Sequence, residues 1–437
     1  MAPIVKGGAA CDLVHADELE VVDSSAATRR SRADPPMLET GCAKRTPVGR
    51  YTVVALQMHG IPTGPALVER FRADLPAILA DIEQLIRCES PSADLDAVAR
   101  SAETVAEVGA ALLGREPERI VLEGRTHLRW SFGGPAGVLV LGHHDTVWPL
   151  GSLRTHPFSI QDGLLRGPGC FDMKAGVVLA LRAVAALSDR TGVTVLITGD
   201  EELGAPSSAQ LIEVEARGRA AALVAEPAAA SGALKIARKG ISQYRIRAVG
   251  RAAHAGLEPE RGINAAVELA YQMQVVARLG DLAVGTTVTP TTMTAGTTAN
   301  TVPADGSLAV DVRTFDVAEQ VRIDTALHAL SPTLPGARLE VLGGPNRPPL
   351  APSMSECLFR KAVRLGEQLA ISPVTGAAVG GGSDGNFTAG VGTPTLDGLG
   401  AVGGGAHADN EHVLIDEFPA RTALFTALLA EILGGAA

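Results

Sequence analysis

The sequence predicts an α/β protein: a sheet covered by helices, interrupted by a smaller inserted unit. Three observations predict it. From residue 118 onward, continuous Val/Leu/Ile runs alternate with helical stretches. Runs that are apolar at every position belong to strands buried on both faces, which helices must cover. From residue 241 the pattern becomes alternating, as in Tyr244-Arg-Ile-Arg-Ala-Val249, the pattern of a half-exposed strand. After Pro345 the first pattern resumes. A chain of 437 residues is too long for one simple core, so two domains and an extension are expected.

The elements follow in order. Residues 1–64 mix charge, Ser, Gly and Pro around one good apolar run, Val53-Val54-Ala55-Leu56, and read as a poorly ordered extension. Residues 65–240 form the first part of the main domain. One amphipathic helix runs through Leu75, Ile78, Leu79, Ile82 and Leu85, a second through Val98, Ala102, Val105, Val108 and Leu112. The breaker Glu89-Ser90-Pro91-Ser92 separates them. Strands are expected at 118–123, 137–142, 193–198 and 221–226, with a helix from Ala175 to Leu187. The inserted unit, 241–345, carries the strand at 244–249, a helix at 262–279, strands at 288–296 and 307–314, a helix at 317–330 and a strand at 337–342. The second part of the main domain, 346–437, has helices at 354–369 and 416–434. The chain shows no internal repeat.

Composition excludes some functions. At 46% hydrophobic and 20% charged the chain is ordinary globular material. Its net charge of −10 argues against a nucleic-acid surface, which needs a basic stripe. No apolar run reaches the roughly 18 residues a membrane span needs. Cys11, Cys42, Cys88, Cys170 and Cys357 are scattered, an odd set that suits a reducing compartment better than a disulfide framework. The N-terminus lacks the apolar stretch of a signal peptide. The expected location is the cytoplasm.

Five segments carry chemistry: Gly142-His143-His144-Asp145, Gly169-Cys-Phe-Asp172-Met-Lys174, Gly199-Asp200-Glu201-Glu202, Ala225-Glu226-Pro227 and Ala406-His407-Ala408-Asp409-Asn410-Glu411. Four of them sit at the carboxyl end of an apolar strand or in the loop beyond it, where sites gather in an open α/β sheet. Each alone is a surface or capping feature. Together they supply two His and several carboxylates, ligands for a borderline cation such as Zn²⁺. Three ligands per ion require one shared carboxylate, and Asp172 in its Gly-rich loop is placed to bridge. Two ions about 3.5–4 Å apart clamp and activate one water. Neighbours such as Glu201 and Glu202 diverge, so one is a ligand and the other a general base. Asp145, two residues beyond His143, faces the same side and suits an orienting role.

On these motifs the chain resembles the co-catalytic zinc carboxypeptidase and aminoacylase family, from about residue 70 to the C-terminus. The resemblance implies a zinc-exopeptidase-type catalytic domain with a mixed sheet, and at 241–345 a lid and dimerisation domain. It implies two Zn²⁺, with Co²⁺ or Mn²⁺ as substitutes. His143 and Glu226 become ligands of one zinc, Glu202 and His407 of the other, and Asp172 bridges. Glu201 becomes the general base and Asp145 the partner of His143. His144 falls on a variable position and is no ligand. Glu226, where other branches carry Asp, resembles the glutamate carboxypeptidase and desuccinylase branch. In the lid, His254 of Arg251-Ala-Ala-His254-Ala-Gly256 matches a His that reaches the site, often that of the partner subunit, and stabilises the oxyanion. Asn300 and Arg313 match positions that hold the substrate carboxylate, a task suited to the guanidinium fork. Gly380, Gly381 and Gly382 resemble the Gly-rich loop near that carboxylate, where backbone approaches closely.

The reading is a homodimeric binuclear zinc hydrolase that cleaves an amide or peptide bond in a small peptide or N-acyl amino acid and releases a C-terminal amino acid. The alternatives are an N-acyl-amino-acid deacylase, desuccinylase or other biosynthetic deprotecting amidohydrolase, and a metal-free binding module. Neither a nucleic acid nor a membrane is expected as a partner.

Overall fold

The computed structural model describes residues 63–434, Ala136 excepted. All but the last two residues of the expected extension lie outside these. Three helices lead: α1 (Pro65–Ala73), α2 (Leu75–Arg87) and α3 (Leu95–Leu113). The stripe Ile78, Ile82, Leu85, Ile86 is the buried face of α2. Asp94 caps α3 by accepting from the Ala97 N–H at 2.9 Å, and Gly114 ends it with φ 67°.

The sheet region follows: β1 (Glu118–Leu122), β2 (Arg125–Ser131), β3 (Val138–His143), β4 (Ser159–Gln161), β5 (Leu164–Arg166), α4 (Ala175–Ala185), β6 (Val193–Thr198), α5 (Ala209–Ala216), β7 (Ala221–Val224) and β8 (Leu234–Arg238). The inserted unit holds β9 (Gly240–Val249), α6 (Ala265–Ala277), β10 (Thr287–Ala295), β11 (Asp305–Thr314), α7 (Val317–His328) and β12 (Arg338–Arg347). The chain closes with α8 (Pro352–Leu369), β13 (Gly376–Val379), α9 (Gly385–Gly390), β14 (Thr395–Leu396), β15 (Gly403–Gly404), β16 (His412–Leu414) and α10 (Phe418–Gly434).

The main sheet has the order β1-β2-β6-β3-β7-β14. It is mixed: β3 runs parallel to β6 and β7, β14 parallel to β7, and β2 antiparallel to β6. Every residue of β3 and β6 is buried. Val138 and Val140 join one apolar core with α2, α3, α4 and α10, while Leu139 and Leu141 join another with α5 and α9. Burying such a side chain stabilises by about 2 kcal/mol, which explains the unbroken apolar runs. The inserted sheet, β10-β11-β9-β12, packs its own cluster of Ile246, Leu269, Leu308, Val310, Ile323 and Leu327 beneath α6 and α7.

Several details differ from expectation. The sequence gives no sign of β2, because Thr-His-Leu-Arg-Trp is no continuous apolar run. Its Leu128 and Trp130 enter the core, while Arg129 pairs with Glu118 and Glu215. Trp130 lies directly on Gly109, where a Cβ would stand 2.4 Å from the ring. The expected strand 221–226 leaves the sheet after Val224, ahead of Pro227, which has no N–H to pair. The expected helix 262–279 begins at Ala265, because the Asn264 side chain accepts from the Ala266 and Val267 N–H groups. The last inserted strand extends to Arg347, so β12 itself carries the chain back to the main domain. No helix among the described residues is long and apolar enough to cross a membrane.

Candidate metal centre

Three parallel strands end at one edge of the main sheet and deliver the first functional groups. His143 is the last residue of β3; Glu201 and Glu202 follow β6; Glu226 lies two residues past β7. Asp172 comes from the loop that opens into α4, and His407 from the loop between β15 and β16. The Asp172 carboxylate points both ways. Its Oδ1 is 3.3 Å from His143 Nε2 and its Oδ2 is 3.5 Å from His407 Nε2. On one side His143 Nε2 is 3.6 Å from Glu226 Oε1; on the other His407 Nε2 is 3.2 Å from Glu202 Oε1. Zinc bound tetrahedrally by N and O at about 2.0–2.1 Å has ligand-to-ligand edges of about 3.3 Å. The two separations seen in each trio, and the donor types, are of the size that a divalent cation shared through Asp172 requires. Among the described residues the groups whose donor atoms all lie within 4.8 Å of one another are drawn differently: His143, Glu201 and Glu226, and His143, Asp172 and Glu202. Glu201 stands further back, 4.0 Å from His143 Nε2.

Asp145 has a wider role than sequence reasoning gave it. His143 Nδ1 is 3.4 Å from the Asp145 carboxylate but 3.0 Å from the Asp145 backbone carbonyl. The two carboxylate oxygens accept the backbone N–H groups of Glu201 and Glu202 at 3.2 and 3.3 Å. Asp145 therefore orients the glutamate pair as well as the imidazole. His144 faces the opposite side: its Nε2 donates to the Thr126 carbonyl at 3.0 Å, and Nδ1 meets the Ser101 hydroxyl at 3.2 Å.

The electrostatics follow from crowding carboxylates at a buried edge. Burial pushes the Glu201 carboxyl well up, against the pull of Arg347, whose Nη2 is 2.9 Å from Glu201 Oε1. Burial is the largest influence on Glu226 and pushes it up, but Arg238, His143 and Lys235 together outweigh it and hold this carboxyl down at about 2. Hydrogen bonds to Asp172 and Glu202 hold His407 up at about 10. Burial disfavours the charged form of His143, yet bonds to Asp145, Asp172 and Glu226 win and raise it above its ordinary value. The cluster demands positive charge, which a divalent cation supplies.

Four buried groups of this network escaped sequence reasoning. All five guanidinium N–H donors of Arg238 are engaged: by both Asp397 oxygens, by Glu226 Oε2 at 2.9 Å, and by the carbonyls of Gly381 and Gly382 at 3.1 and 3.0 Å. Arg347, at the end of β12, also contacts Asp384, while its buried Nε has no hydrogen-bond partner. Burial pushes Asp384 up to about 6, with Arg347 opposing. No local pattern marks the two arginines. The Gly-Ser-Asp384 turn and Asp397 after the short Thr395-Leu396 segment are the only signals the sequence offers.

The lid residues lie elsewhere. His254 is exposed in the loop after β9, its Nδ1 accepting the Gly256 and Leu257 N–H groups at 3.1 and 3.2 Å. Asn300 is exposed beside it, its carbonyl accepting the Ala255 N–H at 2.9 Å. Arg313 places its fork on Asp311 of the same strand at 2.8 and 3.0 Å. Among the described residues no hydrogen bond or ion pair joins these three to the His–carboxylate cluster. Gly380 borders open space, Gly381 faces the Arg238 guanidinium, and Gly382 packs on Ile241.

Comparison with known proteins gives a consistent picture. The sequence profile of peptidase family M20/M25/M40 matches residues 139–431. The chain is 27% identical over 416 residues to carboxypeptidase G2 of Pseudomonas sp. (strain RS-16), covering 90% of this chain and 100% of that one. It is 31% identical over 380 residues to succinyl-diaminopimelate desuccinylase of Xanthomonas euvesicatoria, covering 77% and 97%. Among solved structures, the M20 family metallo-carboxypeptidase Sso-CP2 from Sulfolobus solfataricus superposes with a TM-score of 0.64 at 16% identity, covering 80% and 98%. A tripeptidase from Staphylococcus aureus superposes with a TM-score of 0.65 at 19% identity, covering 82% and 98%. These structural likenesses speak to the fold.

Proposed function

Since the chain belongs to peptidase family M20/M25/M40 and is a hydrolytic enzyme whose family implies a divalent metal, we propose that it is a binuclear zinc carboxypeptidase releasing a C-terminal amino acid. The observation that carries this reading is the pair of donor trios sharing Asp172, with Glu201 set just behind them. His143, Asp172 and Glu226 hold one zinc; Asp172, Glu202 and His407 hold the other. When bound, the pair supplies a Lewis acid for the scissile carbonyl and acidifies the attacking water.

The chain's own residues do the rest. Glu201 takes the proton of the attacking water and delivers it to the departing amine nitrogen. Its buried, raised carboxyl favours such proton shuttling, and Asp145 fixes the backbone from which it projects. His254 donates to the developing oxyanion, arriving from the partner subunit of a cytoplasmic homodimer. Asn300, Arg313 and the backbone of Gly380, Gly381 and Gly382 hold the substrate's free carboxylate; Arg313 exchanges Asp311 for it. Deacylation of an N-acyl amino acid is the second reading, favoured by the similarity to succinyl-diaminopimelate desuccinylase over 77% of the chain.

Two measurements test this. Purified protein carries about two zinc ions per chain, and the Glu201→Gln variant keeps them while turnover falls by about 10²-fold or more. Undiminished turnover removes Glu201 as base; less than one zinc per chain removes the binuclear reading. A screen of dipeptides against N-acyl amino acids, read by free amino acid, separates the two substrate classes.

A further inference from the structure

We propose that Glu411 is a positioning residue that sets the metal centre by clasping three of its ligand-bearing loops with one carboxylate; this rests on the binuclear reading. Glu411 is buried, and its oxygens face only donors. Oε1 accepts the backbone N–H groups of Phe171 and Asp172 at 2.8 and 3.0 Å. Oε2 accepts the Gly169 N–H at 3.0 Å and the indole N–H of Trp148 at 2.6 Å. These four donors come from two distant segments. Gly169 to Asp172 is the turn that presents the shared carboxylate. Trp148 lies three residues past Asp145, in the loop leaving His143. Glu411 itself lies four residues past His407.

The third loop is held tightly. The Ala408 N–H bonds the Gly405 carbonyl and the Glu411 N–H bonds the Ala408 carbonyl, both at 3.0 Å. Between them His407 has φ 61°, a left-handed conformation that a non-glycine residue keeps only where its surroundings enforce it. Fixing the Asp172 N–H fixes the backbone from which its two oxygens aim at His143 and His407. The clasp thus sets the spacing of the donor trios, and apart from Asp172, itself a proposed ligand, no other carboxylate among the described residues joins these three loops.

The chemistry defines the test. Glu411→Gln keeps the shape but turns an acceptor oxygen into an amide N–H₂ facing N–H donors. Partners of this kind govern metal affinity by about 10–100-fold. The full-length protein is stripped with a chelator and titrated with zinc against a chromophoric competitor. Glu411→Gln is expected to bind zinc 10–100-fold more weakly than wild type, with unchanged circular dichroism of the stripped protein and with kcat restored in excess zinc. Trp148→Phe, which removes one of four donors, is expected to lose less. His407→Ala serves as the reference and is expected to lose one zinc per chain. Wild-type affinity in Glu411→Gln alongside a zinc lost from His407→Ala overturns the clasp and leaves the binuclear reading standing. Two zinc ions retained by His407→Ala overturn both. If Glu411→Gln does not fold, Trp148→Phe decides: weakened zinc binding supports the clasp, and wild-type binding overturns it.

Discussion

His127, His143 and His144 show how one residue type takes three roles within a few ångströms. Successive strand residues face opposite sides, so adjacent His143 and His144 part, one to the carboxylate cluster and one to Ser101 and Thr126. His127, on β2 across β6 from them, accepts the Gly199 N–H through Nδ1 at 3.2 Å, so its Nε2 carries the proton and faces Ser207. Burial lowers its pKa. A histidine with a depressed folded pKa binds its proton more readily when unfolded, so stability falls as pH drops below the unfolded value of about 6.5. Burial depresses His144 in the same sense, while the raised His143 and His407 act in the opposite one, so the difference from a variant isolates His127. Chemical unfolding should show wild type losing stability relative to His127→Gln, which cannot titrate, between pH 7 and 5; a constant difference removes His127 as a contributor. At this scale the sequence was legible where a residue closes its own strand or sits in its own Gly-rich loop, as His143, Asp172, Glu202 and Glu226 do. Arg238, Arg347 and Asp397 were not legible. A lone charge reads as solvated until a segment far along the chain, such as that bearing Asp397 for Arg238, buries it.

Helix α4 shows how an element positions chemistry. Gly176, in its first turn, lies against the end of β7, where a Cβ would stand 2.0 Å from the Ala225 carbonyl oxygen. That contact is backbone on backbone, and neither side has a flexible end to yield. It sets the start of α4, and with it the Asp172 turn that opens into the helix, against Ala225, the residue before Glu226. Gly176→Ala should therefore act as overpacking does, costing about 1–3 kcal/mol, and should also weaken zinc binding by moving Asp172 away from Glu226. Thermal melting and zinc competition check the two effects separately; a variant with wild-type values in both refutes the contact. Elements with a strong period were readable, from α2 and α3 to β3, β6 and the inserted α/β pattern. The strand β2 was hidden because its polar residues pair sideways with Glu118, Glu215 and Ser207, and β15 with β16 because two- and three-residue strands carry no period at all.

Across the whole molecule, the inserted unit carries His254, Asn300 and Arg313, and among the described residues no hydrogen bond or ion pair joins them to the His–carboxylate cluster. His254 and Asn300 are exposed and linked to each other through their loops. On the same unit α6 exposes Val267, Tyr271 and Val275, spaced four apart along one face. A homodimer covering such a face can bring His254 of one subunit to the Glu201 of its partner. Mixing His254→Ala chains with Glu201→Gln chains should then restore part of the activity that neither homodimer has, since mixed dimers contain one intact site; no recovery on mixing counts against a shared site. The doubly buried sheet and the inserted unit were plain in the hydrophobic pattern, whereas subunit geometry leaves no periodic trace in one chain. The spread of the ligands has a temporal consequence. Asp172 is bound by Glu411, and Glu226 and His407 stand on opposite sides of the whole inserted unit. Closing so long a loop costs chain entropy that is returned only when late contacts form. Metal competence is therefore expected among the last properties the folding chain acquires, and the hydrolase stays inert until the segments beyond the inserted unit have joined the main sheet.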